Sequence, residues 1–367
     1  MIPPPRFVFA GGGTGGHLYP GLAIADELRR REPSAVILFA GSPGKIEARV
    51  VPARGYPFAP IWISGFRRRF SPQTLMFPLK LAVALGQSFF LLRRRRPDAV
   101  VGTGGYVSGP VVAAAQLLGI PTLLQEQNSV PGVTTRLLAR HAAEVHLAFE
   151  AARRYLRRTD NVRVSGNPTR DTIGTVTRKD AAAFFGVDPA VPTLLVFGGS
   201  LGAASINTAM LAIARRLAGE GVQILWQTGS GDFPRIQGAL GGDGRDVRVF
   251  PYIDRMDAAY AACDLAVCRS GAGTLSELAR AGVPAILVPY PHAAADHQAH
   301  NAETVAGAGG ATVVPDGELG ERLETTIREL LADAPRREEM ARAVRRFGHP
   351  EATRVLADAV MRVAHRG

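Results

Sequence analysis

A histidine set directly behind a run of glycines is the first group in this chain whose type and position could do chemistry. The stretch Arg6–Glu27 reads RFVFAGGGTGGHLYPGLAIADE: an apolar run breaks into five glycines around Thr14, reaches His17 and continues with the period of a helix. A glycine turn between strand and helix lets a ligand approach the backbone, where first-turn amides and the helix dipole favour a phosphate or a polar sugar group. An imidazole there is a candidate base. Gly11, Gly13 and Gly16 also satisfy G-x-G-x-x-G, whose dinucleotide reading asks for an acidic residue at the end of the next strand. That strand, residues 35–42, ends in Gly41 and Ser42, which weighs against nicotinamide or flavin binding.

Three further glycine turns follow apolar runs: TGGYVSGP (Thr103–Pro110), FGGSLGA (Phe197–Ala203) and RSGAGTLSE (Arg269–Glu277). One such turn is explained equally well by a tight loop. Four at strand ends, two in each half, point to a ligand cleft between two domains. In the last turn a helix is expected to begin around Thr274, so that the amides of Ala272 to Leu275 face a phosphate. Thr274 and Glu277 also match a capping box, which leaves Glu277 either a ligand contact or a helix cap. Gln298 is either a sugar contact or a solvated helix residue.

The elements that must position these groups form two series. RFVFA, AVILFA, DAVVGT, PTLLQE, EVHLAF and VRVSG read as short buried strands between helical patterns; TLLVFGGS, QILWQTG, VRVFPYI, DLAVCRS, PAILVPY and GATVVP repeat the rhythm. Alternation of this kind predicts α/β architecture with parallel sheets. At 367 residues two domains are expected, 1–168 and 169–349, with a terminal helix at about 350–367 that packs back on either.

Charge is uneven. Residues 1–167 hold 22 Lys and Arg against 9 Asp and Glu, and residues 168–367 hold 21 against 23. Between Ser64 and Arg96 lie eight basic residues, no acidic one and clustered Phe, Leu and Met. The apolar part is too short to span a bilayer; it fits an interfacial segment on anionic lipid, or a core helix with solvated ends. Nucleic acid is disfavoured because stacking aromatics are not interleaved with the charge. The start MIPPPR lacks a secretory h-region, so a cytoplasmic protein is expected. Cys263 and Cys268 read as reduced packing residues.

In this order, GGTGGH, GGYVSGP, EQN, GNPTR, GGSLGA, SGAGTLSE and DHQ, spanning Gly12 to Gln298, resemble the MurG family of bacterial glycosyltransferases. The resemblance implies a GT-B fold: two doubly wound, parallel-sheet Rossmann-like domains facing across a cleft. It implies UDP-N-acetylglucosamine as donor and lipid I, the undecaprenyl-linked muramyl-pentapeptide, as acceptor, on the cytoplasmic face of the inner membrane. The donor's anomeric centre is inverted without a metal or other cofactor. Independently, no Asp-x-Asp occurs in the chain, so amides and basic side chains are expected to neutralise the leaving diphosphate.

By the same resemblance the donor is contacted by Thr14, Gly15, Gly16, Asn128, Arg170, Ser200, Ile253 through its backbone, Ala272, Gly273, Thr274, Leu275, Ser276, Glu277 at the ribose, and Gln298. The acceptor is contacted by Gly104, Gly105 and Tyr106. A base must remove the proton of the muramyl 4-hydroxyl, and His17 and Glu126 are the candidates. The chain departs from the family pattern at Gln125, often His, and at Leu201, often Gln.

Overall fold

The computed structural model describes residues 3–63, 76–241 and 246–365. The part of the basic segment at 64–75, including Arg67, Arg68 and Arg69, lies outside the described residues. The chain divides into two compact units, Met1–Pro168 with Glu351–Gly367, and Thr169–Pro350.

The first unit holds seven parallel strands: β1 (Arg6–Gly11), β2 (Val36–Gly41), β3 (Phe58–Pro60), β4 (Ala99–Gly104), β5 (Thr122–Glu126), β6 (Glu144–Leu147) and β7 (Val162–Val164). Their order is β3-β2-β1-β4-β5-β6-β7. In β1, Phe7 and Phe9 point to one face, where they pack with Ile37, Phe39 and Leu123 under the Gly15–Arg31 helix. Val8 and Ala10 point to the other, with Val100, Leu124 and residues of the Phe77–Arg95 and Ser108–Leu117 helices. Both faces are covered, which is why β1, β2 and β4 at the middle of the sheet read as continuous apolar runs rather than as alternation.

The terminal helix, Ala352–Ala364, packs in this unit beside the Gly15–Arg31 helix. Its Leu356, Val360 and Val363 are fully buried, each worth about 1.5–3 kcal/mol. Arg31 pairs with Asp358, and Arg362 donates twice to Glu144, at 3.0 and 2.9 Å.

The second unit holds six parallel strands: β8 (Thr193–Phe197), β9 (Gln223–Gln227), β10 (Val247–Phe250), β11 (Leu265–Cys268), β12 (Ala285–Leu287) and β13 (Ala311–Val313), in the order β10-β9-β8-β11-β12-β13. One face packs Leu194, Val196, Ile224 and Trp226 against Met210 and Leu217 of the Ala204–Gly219 helix and Leu323 and Ile327 of the Leu319–Ala332 helix. Cys263 and Cys268 are buried thiols, and burial pushes both up in pKa.

In each sheet the strand order reverses at its first strand, between β1 and β4 and between β8 and β11. Open parallel sheets bind ligands beyond the carboxyl ends of the strands at this point. All four glycine turns stand there, directly after β1, β4, β8 and β11.

Candidate active site

In the first unit, β1 leads through Gly12 and Gly13 to Thr14, which is the N-cap of the Gly15–Arg31 helix without a side-chain capping bond. The amides of Gly15 and Gly16 precede the first rungs of the helix, which are the His17 and Leu18 amides donating to Thr14 O at 3.3 and 3.2 Å. Glu47, buried at the start of the next helix, accepts from Gly13 N at 2.9 Å and Ser42 N at 3.0 Å, and so holds the turn open. Thr103 on β4 donates its hydroxyl to His17 O at 2.7 Å.

Gly104 and Gly105 are brought to this turn, and only glycine fits them. Both have positive φ, 98° and 79°. A Cβ on Gly104 would stand 2.7 Å from His17 Nδ1, and one on Gly105 would overlap the carbonyl oxygen of Gly12. The absent side chains are what let the second turn close on the first. Tyr106 follows, half exposed.

His17 is half-buried, and its Nδ1 lies 2.9 Å from Gln127 Oε1. Glu126 is 3% exposed and both its oxygens are engaged. Oε1 accepts from Asn128 N at 3.1 Å and Asn128 Nδ2 at 3.3 Å; Oε2 accepts from Gly132 N at 3.1 Å and Thr135 Oγ1 at 2.7 Å. That carboxylate braces the loop that presents Asn128.

In the second unit Glu277 receives Tyr260 OH at 3.0 Å on Oε2, and Arg170 Nε stands 3.8 Å from its Oε1. Burial raises the Glu277 carboxyl in pKa, against the opposing pull of Arg170 and the Tyr260 hydroxyl. Arg170 also reaches the carbonyl of Asp254 at 3.4 Å, beside Ile253. The Ile253 amide donates to Gln227 Oε1 at 2.8 Å, so the backbone group it offers a ligand is its carbonyl; Gln227 Nε2 donates to Gly199 O at 2.9 Å. Gln227 thereby ties the Ile253 loop to the turn that exposes Ser200. Leu201, beside it, is 91% exposed.

The helix after β11 begins at Ala272 with Gly271 as N-cap, two residues before the start expected from Thr274. Gly271 takes the extended N-cap conformation, so the strand end and not the threonine sets the boundary. Leu275 N already donates to Gly271 O at 3.0 Å, which leaves the amides of Ala272, Gly273 and Thr274 ahead of the first rung. Thr274 is inside the first turn, so it forms no capping box with Glu277. Ser276 is buried, with its hydroxyl on Ala272 O at 2.9 Å.

Gln298 stands beside the same turn: Ser270 Oγ donates to its carbonyl at 2.7 Å, and Tyr290 N donates to its Oε1 at 3.0 Å. Its side-chain NH₂ is the end not engaged by these two bonds. Among the described residues no group of three or more His, Cys, Asp and Glu is disposed to hold a metal ion.

The structure thus gathers Thr14, Gly15, Gly16, His17, Gly104, Gly105, Tyr106, Glu126 and Asn128 at one end of the first sheet. It gathers Arg170, Ser200, Ile253, residues 272–277 and Gln298 at the same end of the second. Gln127, Glu47, Gln227 and Tyr260 support these groups and were not singled out from the sequence.

Sequence models of the glycosyltransferase family 28 N-terminal and C-terminal domains match residues 7–147 and 193–356. A Chlorobaculum tepidum protein is 46% identical over 361 residues, 97% of this chain and 98% of the relative; a Salinibacter ruber protein is 45% identical over 363 residues, 99% and 98%. Both bear the name UDP-N-acetylglucosamine–N-acetylmuramyl-(pentapeptide) pyrophosphoryl-undecaprenol N-acetylglucosamine transferase. The crystal structure of Acinetobacter baumannii MurG is similar at a TM-score of 0.80 and 30% identity, over 98% of this chain and 100% of that one. The calicheamicin glycosyltransferase CalG4, at 19% identity and a TM-score of 0.72, shares the fold.

The fold is therefore that of the GT-B glycosyltransferases. The chain belongs to the MurG family of N-acetylglucosamine transferases within glycosyltransferase family 28.

Proposed function

We propose that this chain transfers N-acetylglucosamine from UDP-N-acetylglucosamine to the 4-hydroxyl of the muramyl sugar in undecaprenyl-pyrophosphoryl-N-acetylmuramyl-pentapeptide, turning lipid I into lipid II with inversion. The observation that carries this reading is near-full-length similarity, 46% over 97% of the chain, to a transferase of that name. The glycine turns at the carboxyl ends of both sheets support it.

His17 is the base. Its ring is half-buried at a helix start beside the Gly104 turn, whereas Glu126 has both oxygens occupied by loop donors. Gly104, Gly105 and Tyr106 hold the acceptor. Thr14, Gly15, Gly16 and Asn128 contact the donor sugar. In the second unit Glu277 takes the ribose hydroxyls, held in place by Tyr260, and the Ile253 carbonyl meets the uracil. Ser200, Arg170 and the amides of Gly273 and Thr274 stabilise the departing diphosphate as negative charge builds on it. Gln298 reads the sugar.

The enzyme works peripherally on the cytoplasmic face of the inner membrane. Among the described residues no helix is long and apolar enough to cross a membrane. Leu79 and Phe90, 57% and 74% exposed, lie three turns apart on one face of the Phe77–Arg95 helix, which ends in Arg93, Arg94 and Arg95. Lys80 sits over the half-exposed Trp62 ring beside it. An apolar stripe with a basic end suits the headgroup boundary of an anionic leaflet.

The test is UDP release by the purified protein given UDP-N-acetylglucosamine and a short-chain lipid I analogue. Release that needs the acceptor supports the proposal; release at the same rate without it overturns it.

A further inference from the structure

Gln127 is 3% exposed, and its side chain is fixed at both ends. Nε2 donates to Thr103 O at 2.8 Å and Gln125 O at 3.1 Å, and also meets Gln125 Oε1. Three oxygen acceptors around one atom of the carboxamide make that atom the NH₂ group. The other atom, 2.9 Å from His17 Nδ1, is therefore the oxygen. An amide oxygen only accepts, so the neutral ring must carry its proton on Nδ1. That leaves the lone pair on Nε2, the ring nitrogen remote from Gln127.

We infer that Gln127 is a positioning residue that locks His17 in the Nδ1–H tautomer and so aims the basic Nε2 at the hydroxyl to be deprotonated. The inference rests on the proposed role of His17 as base and adds which nitrogen acts and what sets it. In the transfer step the acceptor hydroxyl proton passes to His17 Nε2, and the freed oxygen electron pair forms the new bond to the anomeric carbon. The bond from that carbon to the diphosphate breaks with its pair leaving on UDP. Nδ1–H keeps its bond to Gln127 throughout, and the imidazolium formed has both nitrogens protonated, which the Gln127 oxygen accepts without rearrangement.

The lock is itself braced by neutral amides. Gln125 Nε2 donates to Asn167 Oδ1 at 2.7 Å, and Asn167 Nδ2 reaches the Gln127 carbonyl at 3.3 Å. Gln125 and Asn167 are buried as well. Gly104 and Gln127, which stand at the ring, carry no charge, and the carboxylates of the adjoining loops, Glu47 and Glu126, are turned to backbone amides. The tautomer is thus set by hydrogen-bond direction and not by an ion pair.

The test is nitrogen-15 NMR of histidine-labelled protein without substrates, with the His17 signals identified by their loss in His17→Ala. Above the titration of the ring, the wild-type spectrum is expected to show a protonated Nδ1 and a bare Nε2. A ring protonated on Nε2, or an even mixture, overturns the inference whatever the activity. In Gln127→Leu the signals should shift to the Nε2–H form or a mixture. The kcat should fall about 10- to 100-fold, the range seen for partners that orient metal-bound imidazoles, while KM for UDP-N-acetylglucosamine changes less than about twofold, since the donor-held groups are untouched. Unchanged kcat in a folded Gln127→Leu protein overturns it too. If Gln127→Leu does not fold, the wild-type tautomer decides alone. Normal turnover by His17→Ala would instead remove the base assignment and leave the tautomer measurement standing.

Discussion

Replacing Glu126 separates a brace from a base. Its carboxylate is buried and takes hydrogen bonds from two backbone amides, Asn128 and Gly132, from the Thr135 hydroxyl and from the Asn128 side chain. In Glu126→Ala the hydroxyl and the carboxamide can rotate toward other partners, but the two amides cannot. A buried donor without an acceptor costs about 1–3 kcal/mol, so the pair costs about 2–6 kcal/mol, and water entering the vacated space lowers the net to roughly 3 kcal/mol. In a unit of this size each kcal/mol moves the midpoint by about 2–4 °C, which puts the expected fall in Tm at about 6–12 °C. Glu126→Gln keeps one acceptor oxygen and turns an NH₂ on the remaining donors, for a smaller drop in Tm. Differential scanning calorimetry with kcat measured at saturating substrates reads both effects. A Glu126→Gln protein whose Tm stays within about 2 °C while kcat falls by 10² to 10⁴, the usual cost of losing a general base, would refute the reasoning and make Glu126 the base.

Three other outcomes follow from the same structure. Tyr260→Phe removes the hydroxyl that holds Glu277 Oε2; KM for UDP-N-acetylglucosamine should rise about tenfold, equal to about 1.4 kcal/mol, with kcat little changed, and an unchanged KM counts against ribose binding by Glu277. His146 is fully buried beside Glu144, Arg163 and Arg362, with its Nδ1 2.7 Å from Ser165 Oγ, and burial holds it down to about 4. The unfolded chain, at about 6.5, then binds more protons between those values, so stability falls as pH drops through that window, by about 2 kcal/mol between pH 7.5 and pH 5. Urea unfolding at the two pH values should show this loss and His146→Asn should flatten it; an equal loss in the variant assigns it elsewhere. Phe90→Asp should abolish flotation with phosphatidylglycerol vesicles while turnover of a water-soluble acceptor persists, and undiminished flotation removes this face from the membrane contact.

The central strands of the fold were legible because they are buried on both faces, which writes β1, β2, β4, β8 and β11 as apolar runs that end in or run into glycine turns or loops. β3 was missed: three residues at the sheet edge, none fully buried, closing on Pro60, carry no such signature. The helix after β11 was placed two residues late because Thr274 imitates a cap, and sequence cannot see that Gly271 already holds the cap conformation. The glycine turns were readable since positive φ and close backbone approach, as at Gly104 and Gly105, demand missing side chains. Their supports were not. Glu47 meets a turn 34 positions away and Gln127 meets His17 across 110. Nothing local marks either residue, and each acts only through a contact the sheet creates.

The transfer makes one glycosidic bond, and the product carries it. Wild-type protein should convert a short-chain lipid I analogue into a species heavier by one N-acetylhexosamine, and its proton NMR should show a β linkage formed from the α-linked donor. A product with the α configuration, or free N-acetylglucosamine with the acceptor unchanged, would contradict an inverting transfer to the muramyl hydroxyl.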